Sequence, residues 1–291
     1  MTAIQLLTAL FNAGIAISVG ATVLSLGMNF TIEELVAPLH RVALVIAMVA
    51  LNAVVIPAVA WGIGAVSPMD DKYVAGLVLA CIGAGGAPSL KAAQLVGRVD
   101  LPLAVSVVVV LQLVNIVAVP LWAGQVVTGV SISTWDIVQS LLGLVLLPLA
   151  VGLFIRARYA EHAKAWQADL VSVANLALGI ALVTGIAVNW STIKSMFGSW
   201  VILTAIVIVA LAGVLGALVG VRNAEIRTTT GLVSVFRFAS LGLIIVGTQL
   251  GGNPDYLGPA ITFALIDFVL PFALAVEMSH RRAARTPSAK A

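Results

Sequence analysis

Three ionisable side chains stand where such groups are costly. Lys91, Arg237 and Asp267 each lie inside a long apolar run of a 291-residue chain. A lysine or arginine at the centre of a membrane helix costs about 2.5–3.5 kcal/mol on insertion scales, so each should face a cavity or a partner. Two tethered cations can hold the negative charge of a ligand, or take the place of bound metal cations. The one deep carboxylate can pair with Arg237 or Lys91, or carry a proton. Structural roles compete with these. Arg237 can cap carbonyls freed by a helix break, because a cation is favourable at a helix C-terminal end. Lys91 can snorkel toward the nearby Arg98 loop. Asp267 can serve as half of a buried ion pair.

The surroundings of Lys91 explain why chemistry is expected there. It follows Gly83-Ala-Gly85-Gly86-Ala87-Pro88-Ser89 inside an otherwise apolar segment. Glycine gives up backbone order, and proline lacks an N–H and clashes with the turn before it. Pro88 suits the first position of a new helix. Two half-helices with an unwound elbow are predicted. At membrane depth such an elbow is tolerated only where it is buried in protein or lines a wet cavity, and secondary transporters hold substrates and ions at such breaks. The N-terminus of the second half-helix adds partial positive charge beside Lys91. Ser89, Ser234 and Ser240 lie at the breaks and can donate to a carboxylate or simply cap the broken turns. Gln112 and Asn115 on the next segment can be ligands or helix–helix glue. Asn52 is a further candidate on the segment before.

The elements that must position these groups are membrane helices. The chain is 61% hydrophobic and only 9% charged, with mean hydropathy +1.14, whereas soluble domains carry about 25% charged residues. An all-α polytopic membrane protein is predicted as one integral domain over 1–291. Nine apolar segments fit the ~20-residue requirement: 3–28, 41–66, 73–96, 101–124, 134–156, 168–188, 198–220, 228–250 and 257–278. The first reads as a retained span rather than a signal peptide, having no basic n-region. Counting loops alternately, one side collects Arg41, Arg98, Arg156, Arg158, Lys164, Arg222, Arg227, Arg281, Arg282, Arg285 and Lys290, and the other only Lys72 and Lys194. That asymmetry places the C-terminus in the cytoplasm and the N-terminus outside, in the cell's inner or plasma membrane. Ala87-Pro-Ser-Leu90 and Phe238-Ala-Ser-Leu241 match weakly 151 residues apart. A unit repeated after five spans is inserted upside down, the inverted-repeat plan of many transporters.

Other classes find little support. The single cysteine, Cys81, allows no intramolecular disulfide framework, and a lone buried thiol is more often a small hydrophobe than a ligand for arsenite. No HExxH, GxSxG, CxxC or Walker pattern is present, so no enzyme, cofactor or metal site is expected. The basic residues sit in loops between spans, which does not suggest nucleic acid. No obligate protein partner is evident.

The run Leu26-Gly-Met-Asn-Phe-Thr-Ile-Glu-Glu-Leu35, the stretch Asn52 to Pro57, the Gly85-Gly86 break and the Arg98 loop resemble the bile acid:sodium symporter family over nearly the whole chain. The resemblance implies a core domain (here 41–124 and 198–278) rocking against a panel domain (3–28 and 134–188). It also implies two broken helices that cross, and an organic anion carried with sodium. Where the family has sodium ligands this chain departs. Ser89 remains but Leu90 follows it. Ala104 and Val108 replace hydroxyls, Asn52 replaces a glutamine, and Ser234-Val-Phe-Arg-Phe238 contains no carboxylate or amide.

The expectation is therefore an alternating-access carrier of a small organic anion, with Lys91 and Arg237 standing in for cations. A conventional sodium symporter and a non-transporting sensor on a transporter fold are the alternatives. The candidate binding residues are Asn52, Gly85, Gly86, Ala87, Pro88, Ser89, Lys91, Gln112, Asn115, Ser234, Arg237, Ser240 and Asp267.

Overall fold

A computed structural model describes residues 3–31, 33, 36, 40–86, 88–97, 99–127 and 133–285. Ala87, Arg98 and Lys290 of the sequence argument lie outside the described residues, as do the side chains of Arg282 and Arg285. Among the described residues there is no strand. Helix α1 is Ala3–Asn29 and α2 is Val42–Val66. An interrupted pair follows, α3 (Asp71–Ile82) and α4 (Pro88–Val96). Next is α5, Leu101–Val126. Thr134–Leu141, Leu142–Leu146 and Leu147–Arg158 run on as one helix, α6. Then come α7 (Ala160–Val188), a short helix (Trp190–Ser195) and α8 (Val201–Val219). A second interrupted pair, α9 (Ala224–Val235) and α10 (Ala239–Gln249), precedes α11, Pro254–Arg285.

Eight helical segments among the described residues are long and apolar enough to cross a membrane, with α9 and α10 counted together. The chain is a multi-pass integral membrane protein. The remaining expected segment, 73–96, is the one cut into α3 and α4, and neither half reaches spanning length.

Polar residues fix the helix starts. Asp70 accepts from the Lys72 amide, Asp100 from Leu103, and Asn223 from Glu225 and Ile226; each side chain satisfies donors that a first turn leaves open. Asp100 also accepts from Arg41 at 2.7 Å, and Asp255 from Lys72 at 3.2 Å, tying the start of α2 to α5 and the start of α3 to α11. Pro57 and Pro148 each follow a widened π turn, Leu51–Val55 in α2 and Leu142–Leu146 in α6. A proline inside a helix pushes away the carbonyl one turn back, and a π turn absorbs the misfit.

Helix α1 lies along α7 and α6, while α3 is wrapped by α2, α10 and α11, and α8 covers α9. Lipid offers no hydrophobic drive between helices, so close approach through small residues matters. On Gly27 of α1 a Cβ would fall 2.6 Å from the Leu149 carbonyl, and on Gly152 of α6 one would fall 2.4 Å from that of Leu24.

Candidate functional site

The two breaks are joined to each other. Phe238 N–H donates to Gly83 O at 2.8 Å, and Gly86 N–H donates to Phe236 O at 3.0 Å. The unwound segments therefore run antiparallel and exchange hydrogen bonds as a miniature ladder. Helix ends are offset by nearly the same interval, 153 residues from Ile82 to Val235 and 151 from Pro88 to Ala239. Gly85 adopts φ +71°, a conformation that favours glycine.

Every carbonyl from Cys81 to Gly86 has a donor, as buried backbone requires. Arg237 Nε donates to Cys81 O at 2.7 Å, and its Nη2 lies 3.4 Å from Ile82 O. Gly83 O is taken by Phe238. Asn115 grips Ala84 at both ends, its Oδ1 accepting the N–H at 3.0 Å and its Nδ2 donating to the carbonyl at 2.9 Å. Gln112 Nε2 donates to Gly85 O at 2.9 Å and accepts from Asn115 through Oε1 at 3.3 Å. The Ser89 amide donates to Gly86 O. Gln112 and Asn115 thus splint the elbow from α5.

Losing that splint is measurable. Asn115→Leu orphans both the N–H and the C=O of Ala84, at about 1–3 kcal/mol each. Gln112→Leu orphans only one carbonyl. In thermal unfolding of the purified protein Asn115→Leu should fall several degrees and clearly further than Gln112→Leu; equal shifts would contradict the bidentate grip.

Arg237 is 3% exposed, and its guanidinium is turned away from the nearest acid. Besides Cys81 and Ile82 it meets Asn52, with Nη1 donating to Oδ1 at 2.9 Å and Nη2 to the main-chain O at 2.8 Å. The π turn of α2 is what frees these acceptors: Asn52 O goes to Arg237 and Ala53 O to the Trp122 indole at 2.8 Å. Asn52 is then oriented by donating to Met48 O and to Ser234 Oγ. One guanidinium so links α2, the end of α3 and the α9–α10 break.

Asp267 of α11 receives the main chain of the same residue. Arg237 N–H donates to both carboxylate oxygens, at 3.0 and 3.1 Å. No ion pair involves Asp267 or Lys91 among the described residues. Lys91 is exposed.

A cavity of about 830 Å³ is enclosed by α1, α4, α7, α10 and α11. Of the sequence candidates it is lined by Pro88, Lys91, Arg237, Ser240 and Asp267. Gly85, Gly86, Ser89, Asn52, Gln112, Asn115 and Ser234 sit behind that lining, and Ala87 lies outside the described residues. Ser89 Oγ is fully buried without a hydrogen-bond partner. Sequence reasoning missed the opposite wall. Ser18, Thr22, Ser25 and Asn29 of α1, and Gln167, Ser172 and Asn175 of α7, face the cavity. The α1 set recurs every three to four residues, one face of a helix, which was the available signal. Phe268 and Phe272, with ring centroids 4.9 Å apart, supply an aromatic wall. The cavity takes in the C-terminal half of α1 and the N-terminal half of α7, and so reaches toward the end of the molecule that carries Arg156, Arg158 and Lys164. Among the described residues its lining offers the Lys91 ammonium, the Asp267 carboxylate, hydroxyls, amides and an aromatic face.

A family model described as the Sodium Bile acid symporter family matches residues 16–199. A comparison with curated proteins gave no match.

Proposed function

Because the chain belongs to the Sodium Bile acid symporter family, a family of transporters, we propose that it carries a small organic anion by alternating access and that Arg237 replaces a mobile coupling cation. The observation that carries this reading is the Arg237 guanidinium lodged among oxygens of Asn52, Cys81 and Ile82. A unit cation placed about 4 Å from it would be opposed by about 4 kcal/mol at an effective dielectric of 20. That is roughly a thousandfold in affinity. Among the described residues the carbonyls from Cys81 to Gly86 already have protein donors, and the one carboxylate beside the breaks, Asp267, has both oxygens taken by the Arg237 main-chain N–H, so this set is poorly suited to sodium.

Lys91 is the anion-attracting group in this reading. It has no ion-pair partner among the described residues, stands one turn past the start of α4, and lines the cavity together with Ser240 of the N-terminal turn of α10. Helix N-termini favour negative charge. The packing supports 3–28 and 134–188 as the panel and 41–124 with 198–278 as the core, with the cavity between them. Counting α3 and α4 as one crossing makes nine spans among the described residues, the C-terminus is cytoplasmic by the basic-residue asymmetry, and the cavity then opens inward. The sodium-coupled reading is supported by the family to which the chain belongs and by the unpartnered hydroxyl of Ser89.

Uptake of labelled gluconate, phthalate and taurocholate into proteoliposomes separates the readings. At least one should show saturable uptake that is unchanged when sodium is replaced by potassium. Lys91→Ala should lower it by about 30-fold or more, the loss of one charge-assisted contact of about 2–3 kcal/mol, and Lys91→Arg should retain most of it. A strict sodium requirement would remove Arg237 from its proposed role and leave the carrier intact.

A further inference from the structure

A carrier whose cation site is filled by its own arginine still needs a driving ion to concentrate its cargo. Asp267 is 4% exposed yet lines the cavity. Among the described residues its only hydrogen-bond donor is a neutral one, the Arg237 main-chain N–H on both oxygens. The guanidinium of that residue is committed to Asn52, Cys81 and Ile82 on the far side. We infer that Asp267 is a proton-binding site in the transport cavity and that the anion travels with a proton on this carboxyl. The inference rests on the reading of the cavity as the anion site.

The surroundings make the carboxyl a proton acceptor rather than half of an ion pair. An ionised carboxylate with no charged partner is strongly disfavoured in a dry interior. Around Asp267, α8 and α10 bring no titratable side chain. From α3 comes the Cys81 thiol, from the α9–α10 break Arg237, and from α4 Lys91 across the cavity. The other described ionisable groups of the packed elements, Asp71, Lys72 and Tyr73 of α3, Glu161, His162, Lys164 and Asp169 of α7, Lys194 of the short helix, Glu225 and Arg227 of α9, and Asp255, Tyr256, Glu277, His280 and Arg281 of α11, are on exposed surface or near the helix ends.

Coupling follows from charge alone. With Asp267 ionised, its charge cancels that of Lys91 within the cavity and an entering anion is no longer attracted. With Asp267 protonated, the cavity keeps the lysine charge, and the anion neutralises it. Each ligand therefore favours the other by the same factor, as linkage requires. The step is simple in its balance: one proton from water on one side joins a carboxylate oxygen, and the same proton leaves to water on the other side, with no bond broken elsewhere.

Two measurements test this. Isotope-edited infrared spectra of protein carrying labelled aspartate, in liposomes, should show a protonated-carboxyl band that titrates with pH and is absent in Asp267→Asn. That readout needs no anion, and asparagine can still accept the Arg237 N–H. The second is binding of gluconate, phthalate and taurocholate, followed by thermal stabilisation across pH. Apparent affinity for the bound probe should weaken by about tenfold per pH unit above the Asp267 titration, the slope of one linked proton. Asp267→Asn should flatten the slope, and Asp267→Glu should restore it. If the band is missing, or the slope survives in Asp267→Asn, Asp267 is not the proton site, while the anion-carrier reading stands. If the band titrates but none of the three anions binds at any pH, the cavity reading fails and symport fails with it.

Discussion

Replacing Arg237 with methionine should cost this protein several kcal/mol of stability and all of its transport. Methionine nearly matches the arginine stem in length but removes every donor. The side chain of Asn52 and the carbonyls of Asn52, Cys81 and Ile82 then lose their partner together. Orphaned buried acceptors cost about 1–3 kcal/mol each, less whatever relaxation and water recover. A net loss of about 3–5 kcal/mol is the expected size. Lysine at this position keeps the charge, yet one ammonium cannot reproduce a planar fork aimed at two helices, so Arg237→Lys should recover only part of the loss. Arg237→Gln carries a sharper consequence. It deletes the internal cation and leaves oxygens facing one another, so sodium should now raise the melting temperature where it does not in the unaltered protein. Thermal unfolding in sodium against potassium reads both effects. An Arg237→Met protein as stable as the parent would mean that the guanidinium does not hold the break together.

The second large effect lies in the two elbows. A Cβ on Gly83 would fall 2.4 Å from the Phe238 carbonyl oxygen, and one on Gly86 would fall 2.6 Å from that of Arg237. Both obstacles are backbone, so no side-chain rotation relieves them. Gly83→Ala or Gly86→Ala must push the unwound segments apart, and with them the bonds from Phe238 to Gly83 and from Gly86 to Phe236. Loss of transport and a drop of many degrees in melting temperature are expected for either. Gly124→Ala is the control. Its Cβ would meet nothing within 4 Å, and alanine in a helix is favoured over glycine by about 0.5–1 kcal/mol. If Gly86→Ala behaved like Gly124→Ala, the close crossing of the breaks would be wrong.

Some of this architecture was legible from local chemistry. The glycines and proline between Gly83 and Pro88 forbid a regular helix by sterics alone, and α3 and α4 stop and restart around them. The second break is quieter: residues 236–238 contain neither glycine nor proline. It is expected only from the family resemblance and from the weak echo of Pro88-Ser-Leu90 in Ala239-Ser-Leu241 at the right interval. The polar face of α1 at Ser18, Thr22, Ser25 and Asn29 was visible as a spacing but had no reason to be preferred over lipid-facing noise until α7 was placed opposite it.

By itself the order of residues determined that the chain crosses a membrane, where its third segment breaks, and which three ionisable groups lie inside apolar segments and so need a reason. Those properties are settled within a turn or two of chain, by apolar content, missing N–H groups and the cost of burying charge. Only the tertiary structure decided what each group touches. Arg237 could have met Asp267 side chain to side chain; instead its guanidinium crosses to Cys81 and Asn52, 156 and 185 residues away, and leaves the carboxylate to its amide. Gln112 and Asn115 could have faced a ligand, and they splint the elbow instead. Such choices follow from which unsatisfied backbone groups the crossing of two broken helices brings within reach, and the crossing belongs to no single segment.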